Sequence, residues 1–147
     1  MGRHRFQVRI AAPPELVFDL YTNLDRIHEW TGGVTGIADI SGPVDQAGTT
    51  YTVLFGRMRS PTTVLAAERP RLFKSSFGNT VLRGTSLATF RADGNGTVLT
   101  QELQTNGLIA GLMARVFSIG SYKGSFRGEL NEFARIAERE TERPSTK

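Results

Sequence analysis

The sequence carries few side chains that titrate near neutral pH, and they lie far apart. Its two histidines are His4 and His28, and it contains no cysteine, which excludes thiol catalysis and thiolate metal sites. His28 has the titration range of a general base, but its position beside Glu29 on a predicted short helix favours a partly exposed residue. Asp39 falls on the predicted outer face of a strand, where a solvated charge is expected. We predict no catalytic residue and no metal site, because nothing spaces these groups as partners or ligands.

Three polar residues inside alternating apolar strands are better candidates for binding chemistry. Tyr51, Ser75 and Gln101 each share the predicted inward face of a strand with apolar neighbours. A buried polar group needs a hydrogen-bond partner, and a bound ligand or a cavity water would supply it. A register error of one residue would reverse any of these faces.

The same alternation predicts a largely apolar surface with few polar groups, which is typical of a small-molecule site. The predicted ligand-binding residues are Trp30, Tyr51, Val53, Phe55, Phe73, Ser75, Phe77, Phe90, Leu99, Gln101, Leu103 and Phe117. The alternative interpretation is that the aromatic members only form the core, and for any single one of them core is the better assignment.

These side chains require a sheet, and most of the chain has the pattern of one. FQVRI alternates as a first strand, AAPPELVFDLYTN predicts a short helix with proline in its first turn, and Asn23 predicts the cap of a second short helix. From Val34 to Thr105, turn signals divide the chain into about six strands, one break falling at Gly56 to Pro61 and the clearest hairpin at DGNG. Short connections predict antiparallel pairing.

The last segment, from about Leu108 to Glu140, predicts one amphipathic helix about 45 Å long. It is the only element long enough to cover a face of the sheet. Gly120, Gly124 and Gly128 recur at four-residue spacing. They indicate either close packing of a strand or a bend, or, in the functional interpretation, room for a bound molecule.

Composition predicts a single ordinary globular domain over residues 1–140, followed by a polar, frayed tail over residues 141–147. The N-terminus lacks a signal core and no stretch reaches membrane-spanning length, so a cytoplasmic protein without stable membrane insertion is expected. The formal charge is +4. The arginines are scattered along the chain, which favours a solvated surplus and no nucleic-acid partner; binding of nucleic acid or a membrane surface through basic residues is the lowest-ranked alternative.

The opening FQVRIAAPPELVFDLYTNLDRIHEW resembles the START-like (SRPBCC) superfamily, through its alanine-proline helix start and its tryptophan after the second helix. This superfamily includes the polyketide cyclase/dehydratase and lipid-transport family, Bet v 1-like plant allergens and bacterial coenzyme-Q-binding proteins. The glycine pair after Trp30, the ERP turn before LFKSSF and the GTVLTQEL strand also fit. The resemblance covers roughly Phe6 to Ala137, and its loose motifs mark a fold rather than a reaction.

The resemblance implies an α+β helix-grip fold: a curved antiparallel sheet of about seven strands (β-α-α-β6-α) wrapped around a long C-terminal helix, with a ligand cavity between them. The implied function is binding of a hydrophobic or amphipathic molecule such as a lipid, polyketide or quinone. A polyketide cyclase/dehydratase-type enzyme that uses the same cavity is the alternative, with His28, Tyr51 and Gln101 as the residues to test. No cofactor is expected, because no phosphate-cradling glycine loop is present. The oligomeric state stays open, a dimer included.

Overall fold

A computed structural model describes residues 2–31, 34–78, 83–106 and 122–142. The described elements are, in order, β1 (Gly2–Ile10), α1 (Pro14–Tyr21), a 3₁₀ turn (Ile27–Glu29), β2 (Gly36–Ala38), β3 (Thr50–Phe55), β4 (Met58–Glu68), β5 (Leu72–Gly78), β6 (Arg83–Asp93), β7 (Gly96–Asn106) and α2 (Tyr122–Glu142). The strands form one sheet in the order β1-β7-β6-β5-β4-β3-β2. Every adjacent pair is antiparallel. The predicted α+β class, with a seven-stranded antiparallel sheet and a C-terminal helix, is confirmed.

Glycines in the left-handed region close two of the hairpins. Gly94 has φ +63° in the turn between β6 and β7, where Asp93 pairs with Gly96. Gly56 has φ +64° in the turn between β3 and β4. Each turn has two residues, with glycine first, and a side chain there would cost energy that glycine avoids. The DGNG hairpin predicted from the sequence is confirmed.

The β3–β4 hairpin is tighter than the sequence predicted. β4 begins at Met58, so the expected break from Gly56 to Pro61 reduces to a turn of Gly56 and Arg57. Pro61 pairs with Thr52 of β3, whereas the pairing of β4 with β5 begins only at the next residue. Pro61 therefore has no partner in β5, and its missing N–H costs no hydrogen bond on that side.

The inward face of the sheet, α1 and α2 enclose one hydrophobic core. Pro14 opens α1 and Glu15 lies in its first turn, while Val17 and Phe18 are buried. The Thr97 hydroxyl is fully buried and donates a 2.7 Å hydrogen bond to the carbonyl of Ala12, which fixes the start of α1 on β7. α2 packs against β1 and α1. It buries one face, made of Leu130, Phe133, Ala134, Ile136 and Ala137.

The chain between α1 and β2 differs from the expectation of a second capped helix. The described residues contain only the 3₁₀ turn Ile27–Glu29. The side-chain oxygen of Asn23 accepts a 3.1 Å hydrogen bond from the backbone N–H of Asp25, two residues on. This local bond offers the backbone an alternative to helix and favours a turn. Arg26 then bonds both carboxylate oxygens of Glu29, which holds the turn in place.

α2 ends at Glu142, two residues beyond the expected boundary at Glu140. Three predicted features lie outside the described residues: the helix segment before Tyr122, Gly120 (the first of the three regularly spaced glycines) and residues 143–147 of the tail. No helix in the described ranges is both long and apolar enough to cross a membrane.

Gly128 supports neither interpretation of the three regularly spaced glycines, close packing or room for a bound molecule. Helix geometry places it about 160° around α2 from the buried Leu130. It is exposed, and a Cβ built on it would meet nothing within 4 Å. The position neither lets a strand pack closely nor opens space beneath the helix. The surroundings of Gly124 lie outside the description.

Replacing Gly128 with alanine is therefore expected to raise the free energy of unfolding by about 1 kcal/mol, because alanine loses less backbone entropy in a helix. The matched control is Gly94→Ala, where φ +63° makes the same substitution destabilising. Urea denaturation of both variants checks the pair. A loss of stability in the Gly128 variant would show that this side of α2 packs against another element.

Candidate functional site

The inward face of the sheet carries the predicted binding residues. Residues paired across antiparallel strands share a face, so the pairs Phe73–Ala88 and Ala88–Gln101 place β5, β6 and β7 side chains together. The exposed Lys74 lies between the buried Phe73 and Ser75, on the opposite face. Of the predicted set, Trp30, Tyr51, Phe73, Ser75, Phe90, Leu99 and Leu103 are buried, and Val53, Phe77 and Gln101 are half-buried. Phe117 and the Phe55 side chain lie outside the described residues.

Five uncharged polar side chains cross this apolar face, and we call them the polar band: Tyr51, Thr62, Ser75, Ser86 and Gln101. Tyr51 on β3 pairs with Thr62 on β4, and Ser75 on β5 pairs with Ser86 on β6. Gln101 lies two residues from Leu103, the β7 partner of Ser86. The band therefore runs diagonally over five strands and provides hydroxyl and amide groups, but no charge.

Tyr21, the last residue of α1, contacts the polar band through its hydroxyl group. The side-chain amide of Gln101 donates a 3.0 Å hydrogen bond to its hydroxyl, and Ser86 is its second hydrogen-bonding partner. Burial raises the pKa of the Tyr21 phenol, and the negative charge of Glu129 on α2 adds to this effect. Tyr21 is therefore a neutral phenol that ties α1 to the middle of the sheet.

Aromatic rings surround Tyr21 and close this end of the inward face. Its ring lies edge-on to Phe90 at 5.4 Å, Phe133 at 5.6 Å and Phe73 at 6.3 Å between centroids. Trp30 packs edge-on against Phe133 at 4.9 Å between centroids. These T-shaped contacts are favourable beyond the area they bury, so α1, Trp30 and α2 form a rigid apolar wall beside the polar band.

Tyr51 differs from Tyr21 in its hydrogen bonding. Burial, with a smaller contribution from the nearby Tyr21, raises its pKa to about 12. Its hydroxyl makes no hydrogen bond to any described residue. At neutral pH it is a protonated donor at the edge of the wall.

Cover on the inward face is uneven. Leu99 is 0% and Phe90 3% exposed beneath α1. Val53 and Ile37, on the strands at the far edge, and Phe77, at the end of β5, are only half-buried. The part of the face beyond Tyr51 is thus the less covered part, and it is where an apolar ligand would gain most by burying protein surface.

Sequence reasoning missed four residues that bear on this face. Tyr21 lies in the predicted helix AAPPELVFDLYTN, where no local pattern marks a polar role, and Glu129 could not be placed without the packing of α2. Ser86 could have been found, because it alternates with Ala88 and Phe90. So could His4, which shares the inward side of β1 with Phe6, pairs with Leu103 and stacks on the Phe6 ring at 6.5 Å.

The charged candidates from the sequence do not join the site. His28 is exposed on the 3₁₀ turn. Asp39, next to β2, is exposed and pairs with Arg59 at 2.9 Å. Within the described ranges, no group of three His, Asp or Glu side chains is arranged to hold a metal ion.

Tyr21 and Gln101 should be energetically coupled through the hydrogen bond between their side chains. Tyr21→Phe or Gln101→Met leaves a part-buried polar group with one partner fewer, so each is expected to cost about 1 kcal/mol, with a coupling near 1 kcal/mol in a double-mutant cycle. The control cycle uses Gln7 and Thr100, which form a comparable 3.1 Å bond on the outer face. Equal coupling in both cycles, measured by denaturation, would contradict a special role for the pair on the inward face.

Comparison with known proteins identifies a family that matches this chain. The family described as "Polyketide cyclase / dehydrase and lipid transport" matches residues 1–138. No protein among the curated sequences matches the chain.

Solved structures share the fold at low identity. Protein MLL2253 from Mesorhizobium loti is 16% identical with a TM-score of 0.74, over 94% of this chain and 98% of that one. DynU16, described as a putative protein in the dynemicin biosynthetic locus, is 19% identical with a TM-score of 0.71, over 96% of this chain and 49% of that one. Ara h 8.0201 is 14% identical with a TM-score of 0.68, over 92% and 98%. The predicted helix-grip fold is thereby confirmed.

Proposed function

The chain belongs to the polyketide cyclase/dehydrase and lipid transport family, and from that premise we propose that it binds a hydrophobic or amphipathic small molecule between the inward face of the sheet and the C-terminal helix. Residues 1–140 act as one ligand-binding domain in this proposal. The ligand class is a lipid, polyketide, quinone or similar molecule. The same family and fold also accommodate an enzyme, so the choice between the two depends on the chemistry of the inward face.

The observation that supports binding is the combination of half-buried apolar side chains with an uncharged polar band. Val53, Ile37 and Phe77 provide half-buried apolar surface, while Tyr51 provides a hydroxyl that no described residue satisfies. Pockets for small molecules have this composition: mostly apolar lining with a few polar groups that fix orientation. A phenol is protonated at neutral pH, and burial raises the pKa of Tyr51 further, to about 12; its hydroxyl can therefore donate a hydrogen bond to a ligand carbonyl or hydroxyl oxygen.

Removing that donor should weaken binding without removing the site. Tyr51→Phe is expected to lower the affinity for a carbonyl-bearing ligand about tenfold, the effect of one well-placed hydrogen bond. Thr50→Val is the control, because it removes an exposed hydroxyl from the neighbouring position on the opposite face of β3. Titration of both variants with a quinone, a flavonoid, a fatty acid and a sterol, followed through Trp30 fluorescence, measures this. Equal affinities in both variants, or no uptake of any probe, would contradict the proposal.

A polyketide cyclase or dehydratase is the second candidate, and one observation favours it. The carboxylate of Glu129 acts electrostatically on the Tyr21 phenol and raises its pKa. In that mechanism Glu129 would move the proton, and the neutral phenols of Tyr21 and Tyr51 would stabilise an enolate oxygen. Neither phenol can itself serve as a base at neutral pH, because burial favours the protonated form of both. Binding without turnover is the leading function, because it requires no proton transfer by any residue.

The two candidates differ in their response to Glu129→Gln. An enzyme that uses this carboxylate should lose about 100-fold or more in turnover while still binding substrate. A binding protein should keep its affinity within a few-fold. Glu132→Gln, on the same helix and ion-paired with Arg135, controls for the loss of a carboxylate from α2.

A further inference from the structure

We propose that the outer face of the sheet docks onto an anionic lipid bilayer. Five exposed cations on this face form no ion pair with a described residue: Arg3, Arg5, Lys74, Arg83 and Arg91. Among the described residues of these strands, Glu102 is the one outward carboxylate without a salt bridge. The face thus holds an excess of four positive charges, equal to the formal net charge of +4 of the whole chain. The surplus that looked scattered in the sequence is gathered on one surface, which we call the cationic face.

Strand pairing is what gathers these residues. Arg5 on β1 pairs with Glu102 on β7. Glu102 in turn pairs with Leu87 on β6, and Leu87 pairs with Lys74 on β5. Residues 5 and 74 are therefore about 14 Å apart, three strand spacings. Arg83 and Arg91 lie at opposite ends of β6, about 27 Å apart. The cations spread over a broad area and do not line a narrow cleft.

This arrangement fits a bilayer better than a nucleic acid. Single strands are held by stacking on exposed aromatic rings, but every Phe, Tyr and Trp side chain with described surroundings is buried or packed against the core. Duplexes are read by elements that enter a groove, and a sheet face has none. Apolar side chains instead lie among the cations: Leu87 and Val98 are half-buried, and Leu65, displaced by the β4 bulge, is 43% exposed. Cations mixed with apolar groups match the lipid headgroup region.

One feature of the cationic face suits a phosphate-bearing headgroup. A groove of about 310 Å³ is lined by Arg83 and by three hydroxyl-bearing residues, Thr63, Ser76 and Thr85, among others. These three residues pair across β4, β5 and β6 on the outer face. A headgroup there would meet hydrogen-bond donors next to a guanidinium, the pairing that phosphate oxygens favour.

Vesicle co-sedimentation of the full chain tests the proposal, with phosphatidylcholine alone and with added phosphatidylserine. Binding should require phosphatidylserine and weaken as salt is raised. Each Lys or Arg near an anionic surface strengthens binding about fivefold, so the triple variant Arg5→Gln, Lys74→Gln, Arg91→Gln should bind about 100-fold more weakly. The matched control is Arg57→Gln, Arg135→Gln, Arg139→Gln, which removes the same charge from exposed positions elsewhere and should retain most of the binding.

Three results would overturn the proposal. One is binding that does not depend on phosphatidylserine, and another is equal loss in the two triple variants. The third is tighter binding of a single-stranded RNA or a DNA duplex than of the anionic vesicles, which would assign the cationic face to nucleic acid. The substituted side chains are exposed and lie opposite the proposed ligand site, so circular dichroism and uptake of a flavonoid should match the unmodified protein. The test is thus independent of the proposed function.

Discussion

Phe133→Ala is expected to lower the free energy of unfolding by about 3–5 kcal/mol, the largest effect of any single substitution considered for this protein. Phe133 is 0% exposed and forms the only described ring contacts from α2, to Tyr21 and to Trp30. Its removal leaves a cavity where α1, α2 and the Trp30 segment meet, and these elements can collapse into it only in part.

The measurement is urea denaturation followed by circular dichroism, with Trp30 fluorescence as a second probe because Trp30 is the only tryptophan. Arg135→Ala, an exposed position two residues further along α2, serves as the control and should change stability by less than about 0.5 kcal/mol. A loss below about 1.5 kcal/mol for Phe133→Ala would contradict close packing of α2 on the aromatic wall.

Tyr51 should make the protein lose stability at alkaline pH. Burial raises its pKa from 10.0 to about 12, so the folded state holds this proton more tightly than the unfolded state does. The stabilisation is fully present below about pH 10 and is lost as the pH rises through about 12. A shift of this size corresponds to about 3 kcal/mol. Tyr21, whose pKa is also raised, adds in the same direction.

The comparison that isolates Tyr51 is the pH dependence of unfolding in the unmodified protein and in Tyr51→Phe. Above about pH 10 the unmodified protein should lose stability relative to Tyr51→Phe, by up to about 3 kcal/mol, because it alone has this phenol to ionise. Phenolate absorbance, with three tyrosines in the chain, should show one late-titrating group fewer in the variant. Parallel curves, with Tyr51 titrating near 10, would show that its phenol is hydrated in the folded protein.

Alternation predicted the inward faces because each strand has one buried side, so a run such as LFKSSF has a single register that buries Phe73 and exposes Lys74. The DGNG hairpin was predictable for a similarly local reason, since Gly94 supplies the positive φ that the turn requires. The order of the elements, and with it the fold class, follows from such local signals and from the need to cover one face of the sheet.

Features that depend on contacts between distant segments could not be predicted. The bond between Tyr21 and Gln101 joins residues 80 positions apart, and no local pattern marks it. Asn23 was predicted to cap a helix, but capping and a local turn use the same side-chain oxygen, and the turn forms. Gly128 follows Gly120 and Gly124 at four-residue spacing, yet the orientation of α2 about its axis exposes it to solvent. The cationic face likewise exists only once the strands are paired.

The central claim is that a ligand occupies the inward face, and methyl NMR during titration with a neutral flavonoid tests it most directly. The account predicts shifts for Val53 and Leu103, whose side chains lie on the inward face, and none for Leu65 and Val98 on the outer face. Shifts confined to Leu65 and Val98, or an unchanged spectrum with every hydrophobic probe, would contradict it.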